Sequence, residues 1–288
     1  MTTPVTKLGV GIGWRSEIAR TIERRRDLGF VELVAEHFPP SVALPIALEN
    51  LHERGIRMIP HGLSLSLGGA ERIDSRRVDA LAQLAERVSA PLVSEHIAFV
   101  RAGEAEAGHL LPIPRTRAAL DVLVENVLEA KKHLPVPLAL ENISTLVQWP
   151  GAEMDEATFL REALERTDCL MLLDIANFGA NAKNFGKSAV GELRQLPLER
   201  LAYVHVGGGF EKDGVYHDTH AHPTPPGVIE LLEELCAMVD PPGVMLERDD
   251  HYPPPDRLNA ELDAIADAMS VGAGRRAAVL HAPVAYGG

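Results

Sequence analysis

The feature that most constrains this chain is an alternation that persists from one end to the other: a short run rich in Val, Ile and Leu, then a longer amphipathic segment. The apolar runs are Leu8–Ile12, Phe30–Glu36, Arg57–Gly62, Pro91–Phe99, Pro137–Ile143, Leu170–Ile175, Leu201–Val206 and Val244–Arg248. Runs this short and this continuously apolar suit parallel strands covered on both faces. The segments between them begin near Ser16, Ser41, Asp74, Thr116, Asp155, Lys187, Pro226 and Pro254. Most of these are Ser, Thr, Asp or Pro, which start helices by capping an amide or presetting φ. Eight β-α pairs predict an α/β protein, a single (β/α)8 TIM barrel over residues 1–270. A doubly wound open sheet is the alternative, because periodicity does not show closure. The Gly- and Ala-rich stretch 271–288 reads as a last helical turn followed by a tail.

Composition supports one domain and narrows its partners. With 288 residues, 46% hydrophobic and 24% charged, the chain can fill one large core. A net charge of −13, from 28 Lys+Arg against 41 Asp+Glu, repels a polyphosphate backbone, so nucleic acid is not an expected partner. No apolar stretch approaches the ~18 residues of a membrane span, and the start lacks a signal peptide's basic-then-apolar order. The expectation is no membrane partner and a cytoplasmic address. Cys169 and Cys236 are too few for a disulfide framework or a thiolate metal site and fall on core patterns.

An ionisable residue in a strand buried on both faces is costly. Nearly every run nevertheless ends in one: Glu36, His61, His96, Glu141, Asp174, His205 and Glu247. In a β/α barrel the carboxyl ends of the strands face the loops that build the active site, so these side chains can converge. A lone strand-end His is more often a hydrogen-bonded structural residue. The joint pattern is explained more economically by a multinuclear metal site. Between His217 and His222, Asp218 and His220 stand two apart and can point the same way in extended chain. Taken alone, that segment also reads as a solvated loop.

Alternation along a strand places His96 inward and leaves Glu95 a supporting or helix-facing role. It makes Glu247 deeper than Asp249, which can face substrate. Asn142 and Asn177 offer amide oxygens that ligate or orient. The candidate metal ligands are therefore His61, His96, Glu141, Asp174, His205, Asp218, His220 and Glu247, enough for two or three ions with a bridging carboxylate. Their four carboxylates carry −4, which two divalent ions cancel and three overturn, so a loaded pocket can attract anions. Imidazole and carboxylate without thiolate admit iron, manganese or zinc, and residue types do not choose among oxygen chemistry, isomerisation and hydrolysis.

The motifs HGLSLSLGG, SEHIAF, LPIPRTRAAL, LENIS, LLDIANF, HVGG, DTHAHP and MLERD, in this order from Gly9 to Ala268, resemble those of the multinuclear non-heme iron-dependent oxidases. The resemblance implies a xylose-isomerase-like barrel holding two or three irons in mixed Fe(II)/Fe(III) states. It implies dioxygen as co-substrate, a cysteine or other residue of a ribosomally made precursor peptide as target, and a separate leader-binding partner protein. Carried over, it puts His61, His96 and Glu141 around one iron. Asp174, His205 and Glu247 surround the next with a shared carboxylate, and Asp218 and His220 hold a third. Glu141, Asp249 and Asn177 are its expected catalytic residues. One departure is Ala176 before Asn177, where family members often have two adjacent Asn, and it bears on the third position.

Two related readings compete. A zinc-dependent phosphodiesterase of the apurinic endonuclease type shares the ligand order, but the acidic charge and the absence of Arg/Lys-rich loops with intercalating apolar residues oppose it. A sugar isomerase needs a Lys and a His beside two metals. A metal-binding scaffold without turnover predicts closed coordination. Gly207-Gly208-Gly209 is expected as a flexible lip, and Arg115 and Arg248 as groups that could meet a substrate carboxylate or peptide backbone.

Overall fold

The computed structural model describes residues 6–280. In chain order its strands are β1 (Gly9–Gly13), β2 (Phe30–Val34), β3 (Arg57–Gly62), β4 (Val93–His96), β5 (Phe99–Ala102), β6 (Ala105–Leu111), β7 (Leu138–Glu141), β8 (Leu170–Asp174), β9 (Leu201–Val206), β10 (Gly209–Lys212), β11 (Val215–Asp218) and β12 (Gly243–Leu246). The helices are α1 (Ala19–Arg24), α2 (Ile46–Glu53), α3 (Ser75–Arg87), α4 (Arg117–Lys131), α5 (Glu156–Thr167), α6 (Ile175–Asn184), α7 (Ala189–Leu193), α8 (Pro226–Met238) and α9 (Pro255–Leu280). Strands β1, β2, β3, β4, β7, β8, β9 and β12 close into a barrel, with β12 returning to β1 through the parallel register Gly9↔Gly243 to Ile12↔Leu246. This is the single (β/α)8 barrel the alternation predicts, closed rather than open.

Apart from α2, which starts at Ile46 rather than near Ser41, and α6, which starts at Ile175, the helices start close to where their caps predict. The side chains of Asp74, Thr116, Asp155 and Ser188 accept from first-turn amides of α3, α4, α5 and α7, and Pro226 opens α8. Each long helix lays an apolar stripe on the sheet, as α3 does with Val78, Leu81, Ala82, Leu84 and Ala85. These stripes form the larger core, outside the barrel. A second, separate cluster fills the barrel itself: Leu8, Phe30, Ile59, Leu92, Ala139, Leu170, Leu172, Ala202, Tyr203 and Met245. Glycine is required where β1 passes Phe30, since a Cβ on Gly11 would stand 2.4 Å from that ring.

Three departures from the sequence reading have local causes. The run expected from Pro91 to Phe99 ends at His96, and an antiparallel hairpin, β5–β6, follows it; β6 is largely exposed and carries no apolar signal. After β9 comes a second hairpin, β10–β11, so Gly207-Gly208-Gly209 is no loose lip. A Cβ on each of these glycines would fall 2.6 Å or less from His220, Pro223 or His217, so the run lets the next loop pack against it. The tail expected from Val271 begins as helix, because α9 continues to Leu280 and docks on α8. Gly272 allows the close approach to Cys236, and Arg275 pairs with Glu234 at 2.6 Å. Residues 281–288 lie outside the described residues. Among the described residues no helix is long and apolar enough to cross a membrane.

Candidate metal centre

Strand alternation turns the barrel's filling, apolar except for Ser94, into a polar layer two residues further on. Ile59 is followed by His61, Ser94 by His96, Ala139 by Glu141, Leu172 by Asp174, Tyr203 by His205 and Met245 by Glu247. These six polar residues at the carboxyl ends of their strands are all buried. Their ligand atoms converge as His61, His96 and Glu141, then as Glu141, Asp174, His205 and Glu247, so Glu141 is shared. Asp174 is shared in turn with Asp218 and His220, which arrive from β11 and the loop after it. A further group joins His220, Glu247 and Asp249. The structure thus brings together all eight residues expected as ligands.

The donor atoms face one another without satisfying one another. His61 Nε2 and His96 Nε2 lie 3.4 and 3.2 Å from Glu141 Oε2. His205 Nδ1 lies 2.9 Å from Glu247 Oε2, and His220 Nε2 lies 2.6 Å from Asp218 Oδ2. Ten buried side-chain N and O atoms among the described residues have no hydrogen-bond partner. Six of them belong to this cluster: His61 Nε2, Glu141 Oε2, His205 Nδ1, Asp218 Oδ1, His220 Nε2 and Glu247 Oε2. Orphaned polar atoms are costly in a folded core, and their concentration at one point fits bound cations.

Each histidine is held by its other nitrogen, as metal-ligating imidazoles are. His61 Nδ1 meets Ser94 Oγ at 2.8 Å, His96 Nδ1 meets the Gly62 carbonyl at 3.2 Å, and His205 Nε2 meets Glu32 at 2.7 Å. His220 Nδ1 meets Asp249 Oδ2 at 3.3 Å, and Arg15 forms an ion pair with the same Asp249 carboxylate. His220 stands at φ +51°, an unusual conformation for a non-glycine residue, seated against Gly207. The carboxylates are steadied too. Asp174 caps α6, accepting from the Asn177 amide N–H and from Asn177 Nδ2, both at 2.8 Å. Asn142 brackets the Asp174 backbone through its side-chain amide, with both bonds at 3.0 Å.

Burial opposes charge throughout, and neighbours decide the outcome. Burial lowers His96, but Glu141 and Glu95 outweigh it and push it up to about 9. Burial also works against charged His205 and His220, yet the surrounding carboxylates lift both well above the ordinary imidazole value. Asp174 is pushed up to about 7, first by burial and then by Asp218 and Glu141, against the pull of His220. Glu247 is held well below the usual carboxylate range because His220 and His205 overcome its burial. The carboxylates thus favour positive charge at His96, His205 and His220, which a bound cation would supply in place of protons.

Several expectations need correction. Glu36 lies in the turn after β2 and accepts from the Leu63 amide at 2.9 Å, outside the cluster. The inward carboxylate of that segment is Glu32, fully buried, which the sequence reading missed; its signal was a lone acid inside the apolar FVELV. Arg248 does not reach substrate: it is 1% exposed and grips Glu261 of α9 with two contacts of 2.7 Å, because alternation turns it to the outer face. Arg115 lies 3.9 Å from Glu156 at the start of α5. Asn142 holds backbone rather than facing the cluster. Glu95 points outward as expected and accepts from the Leu65 amide at 3.0 Å.

Two cavities, each about 540 Å³, open onto the cluster and meet at Leu63, Glu247 and Asp249. One is walled by Trp14, Arg15, Phe38 and Tyr252 and reaches His61. The other runs under the β5–β6 hairpin past Val100 and Leu110, and reaches His96, Glu141, Asn177, Asp218 and His220. A groove of about 660 Å³ between α6 and α8 lies apart from all of these ligands.

Residues 9–270 match the family model described as RiPP precursor modification enzyme MbnB/TglH/ChrH. A UPF0276 protein of Streptomyces avermitilis is 53% identical over 277 residues, covering 94% of this chain; the chain spans 56% of that relative's length. A UPF0276 protein of Caulobacter vibrioides is 33% identical over 266 residues, covering 92% of this chain and 95% of the relative. Among solved structures, an L-ribulose 3-epimerase superposes with a TM-score of 0.64 at 15% identity, covering 96% of this chain and 98% of that one. The D-psicose 3-epimerase of Clostridium cellulolyticum H10 gives 0.60 at 13% identity, covering 93% and 99%. Likeness at such low identity is likeness of fold.

Proposed function

The chain belongs to the MbnB/TglH/ChrH family of RiPP precursor modification enzymes, and from that premise we propose that it is a multinuclear, iron-dependent oxidase. It uses dioxygen to modify a cysteine, or another residue, of a ribosomally made peptide, and works with a separate protein that binds the peptide's leader. The observation that carries the reading is the set of six orphaned donor atoms on His61, Glu141, His205, Asp218, His220 and Glu247, gathered in overlapping groups whose ligand atoms lie close together.

The residues divide the work. His61, His96 and Glu141 hold one iron; Glu141, Asp174, His205 and Glu247 hold the second; Asp174, Asp218 and His220 hold a third. Two or three ions in mixed Fe(II)/Fe(III) states, when bound, supply a seat for a substrate thiolate and the means to activate dioxygen, which no side chain here provides. Asn177 keeps Asp174 in place through two hydrogen bonds. Asp249, where the two cavities meet, turns its carboxylate toward both Arg15 and His220 and so orders the point at which a substrate residue would lie. The cavities, walled by Trp14 and Phe38 on one side and Val100 and Leu110 on the other, take an extended peptide segment and exclude bulk water from it.

The test is elemental analysis of protein purified without oxygen, with Mössbauer spectra of an iron-57 sample. The expected result is two or three irons per chain with coupled ferrous and ferric signals, lost in Glu141→Ala. Stoichiometric zinc that persists after iron supplementation would overturn the oxidase reading and favour a hydrolase.

A further inference from the structure

Beneath the candidate ligands runs a line of buried polar groups that joins two of the metal positions. Glu32 Oε2 takes two hydrogen bonds, from Tyr203 Oη at 2.6 Å and from His205 Nε2 at 2.7 Å. Tyr203 Oη lies 2.7 Å from Ser94 Oγ, which lies 2.8 Å from His61 Nδ1. All five residues are buried, four at 0% exposed and His61 at 1%.

The proton on each link is fixed by counting donors. A carboxylate only accepts, so Tyr203 gives its single hydroxyl proton to Glu32. The Tyr203 oxygen must then accept from Ser94, and Ser94, its proton spent, must accept from His61 Nδ1–H. On the other side, His205 gives Nε2–H to Glu32 directly. In neutral rings, which metal ligation requires, the order leaves His61 with its lone pair on Nε2 and His205 with its lone pair on Nδ1. These are the atoms that face Glu141 at 3.4 Å and Glu247 at 2.9 Å.

We infer that Glu32, Tyr203 and Ser94 are positioning residues: a one-way hydrogen-bond chain, ending on one buried carboxylate, sets the tautomers of His61 and His205 and ties two metal positions together. This rests on the reading of the cluster as a metal centre. The chain is asymmetric, since His205 touches Glu32 and His61 reaches it through two hydroxyls. Breaking the middle therefore frees one histidine and spares the other. In Tyr203→Phe and Ser94→Ala, His61 loses the partner that dictates its tautomer while the Glu32–His205 bond stays. Tyr203→Phe keeps the ring that packs edge-on against Phe30 at 5.7 Å, so the core is retained.

The experiment is anaerobic titration of Fe(II) alone into metal-free protein against a chelator, with nitrogen-15 spectra of the histidine rings in the Zn(II)-loaded form. Wild type is expected to show His61 protonated at Nδ1 and His205 at Nε2. Tyr203→Phe and Ser94→Ala should weaken one metal position by about 10–100-fold, the usual consequence of losing an outer partner. The His205 ring signal should stay unchanged. Glu32→Gln, which removes the charge both branches share, should weaken two positions. If Tyr203→Phe and Ser94→Ala bind iron as wild type does, or the ring protons lie on the opposite nitrogens, the inference fails while the metal reading stands. A wild type that binds no metal overturns the proposed function itself.

Discussion

Leu172 and Asp174 stand two residues apart on β8 and face the same interior, as do Ile59 and His61 on β3. The first of each pair packs among apolar neighbours that the chain itself supplies. The second points into the cluster, where His61 Nε2 has no hydrogen-bond partner and the Asp174 carboxylate lies 3.3 Å from His220. The lower layer is finished by folding, while the upper, on the proposed reading, would be finished by bound cations. Stability and chemistry are thus separated by about 7 Å along each strand, two residues of rise.

That contrast can be broken from either side. The largest effect is expected for Leu172→Ala: it removes a fully buried side chain inside the barrel and should cost about 2–5 kcal/mol. Urea unfolding would show this at any pH, with metal stoichiometry unchanged. Asp174→Asn, one step up the same strand, should act in the opposite direction on metal-free protein. A carboxyl pushed up to about 7 when folded binds its proton more tightly than in the unfolded chain. Wild-type stability therefore falls as pH rises from about 4 to 7 and stays reduced above it. Asparagine still caps α6 and removes that cost, so the variant should gain up to about 4 kcal/mol at pH 8 and nothing near pH 4. Loss of stability at pH 8 would contradict the idea that this layer is unfinished. The smallest effect is for Gly11→Ala, whose Cβ would meet the Phe30 ring: about 1–3 kcal/mol in thermal unfolding, with the metal cluster untouched.

The barrel and most of the ligands were legible because a doubly covered parallel strand leaves few places for an ionisable side chain. His61, His96, Glu141, Asp174, His205 and Glu247 announced themselves by interrupting apolar runs. Glu32 does so as well, but Glu36 ends the same segment and takes the strand-end place in a linear reading; only the pleat shows which of the two faces inward. The hairpins were illegible for a different reason. β5–β6 is short and mostly solvent-exposed, so it lacks the periodicity that burial imposes. The triple glycine was misread because glycine marks close packing as readily as freedom, and here His220 and its neighbours crowd against it. Helix α6 begins directly after β8, earlier than Lys187 suggested, because Asp174 is both the strand's last residue and the helix's cap.

The β10–β11 hairpin gives the cluster a difference in timing as well as in geometry. It is a local element, fastened to α6 by two hydrogen bonds of 2.8 Å between Asn184 and the Tyr216 backbone, and it brings Asp218 and the His220 loop to Asp174. His61, His96 and Glu141 come from the closed barrel, where β3 pairs with β2 over five residues and β4 with β7 over four, and separating them means parting the barrel. Opening the Asp174–Asp218–His220 group would need only the hairpin to lift, a smaller excursion of the kind that folded proteins make far more often than they unfold. An ion bound there would exchange on the hairpin's clock, and one bound by His61, His96 and Glu141 on the barrel's.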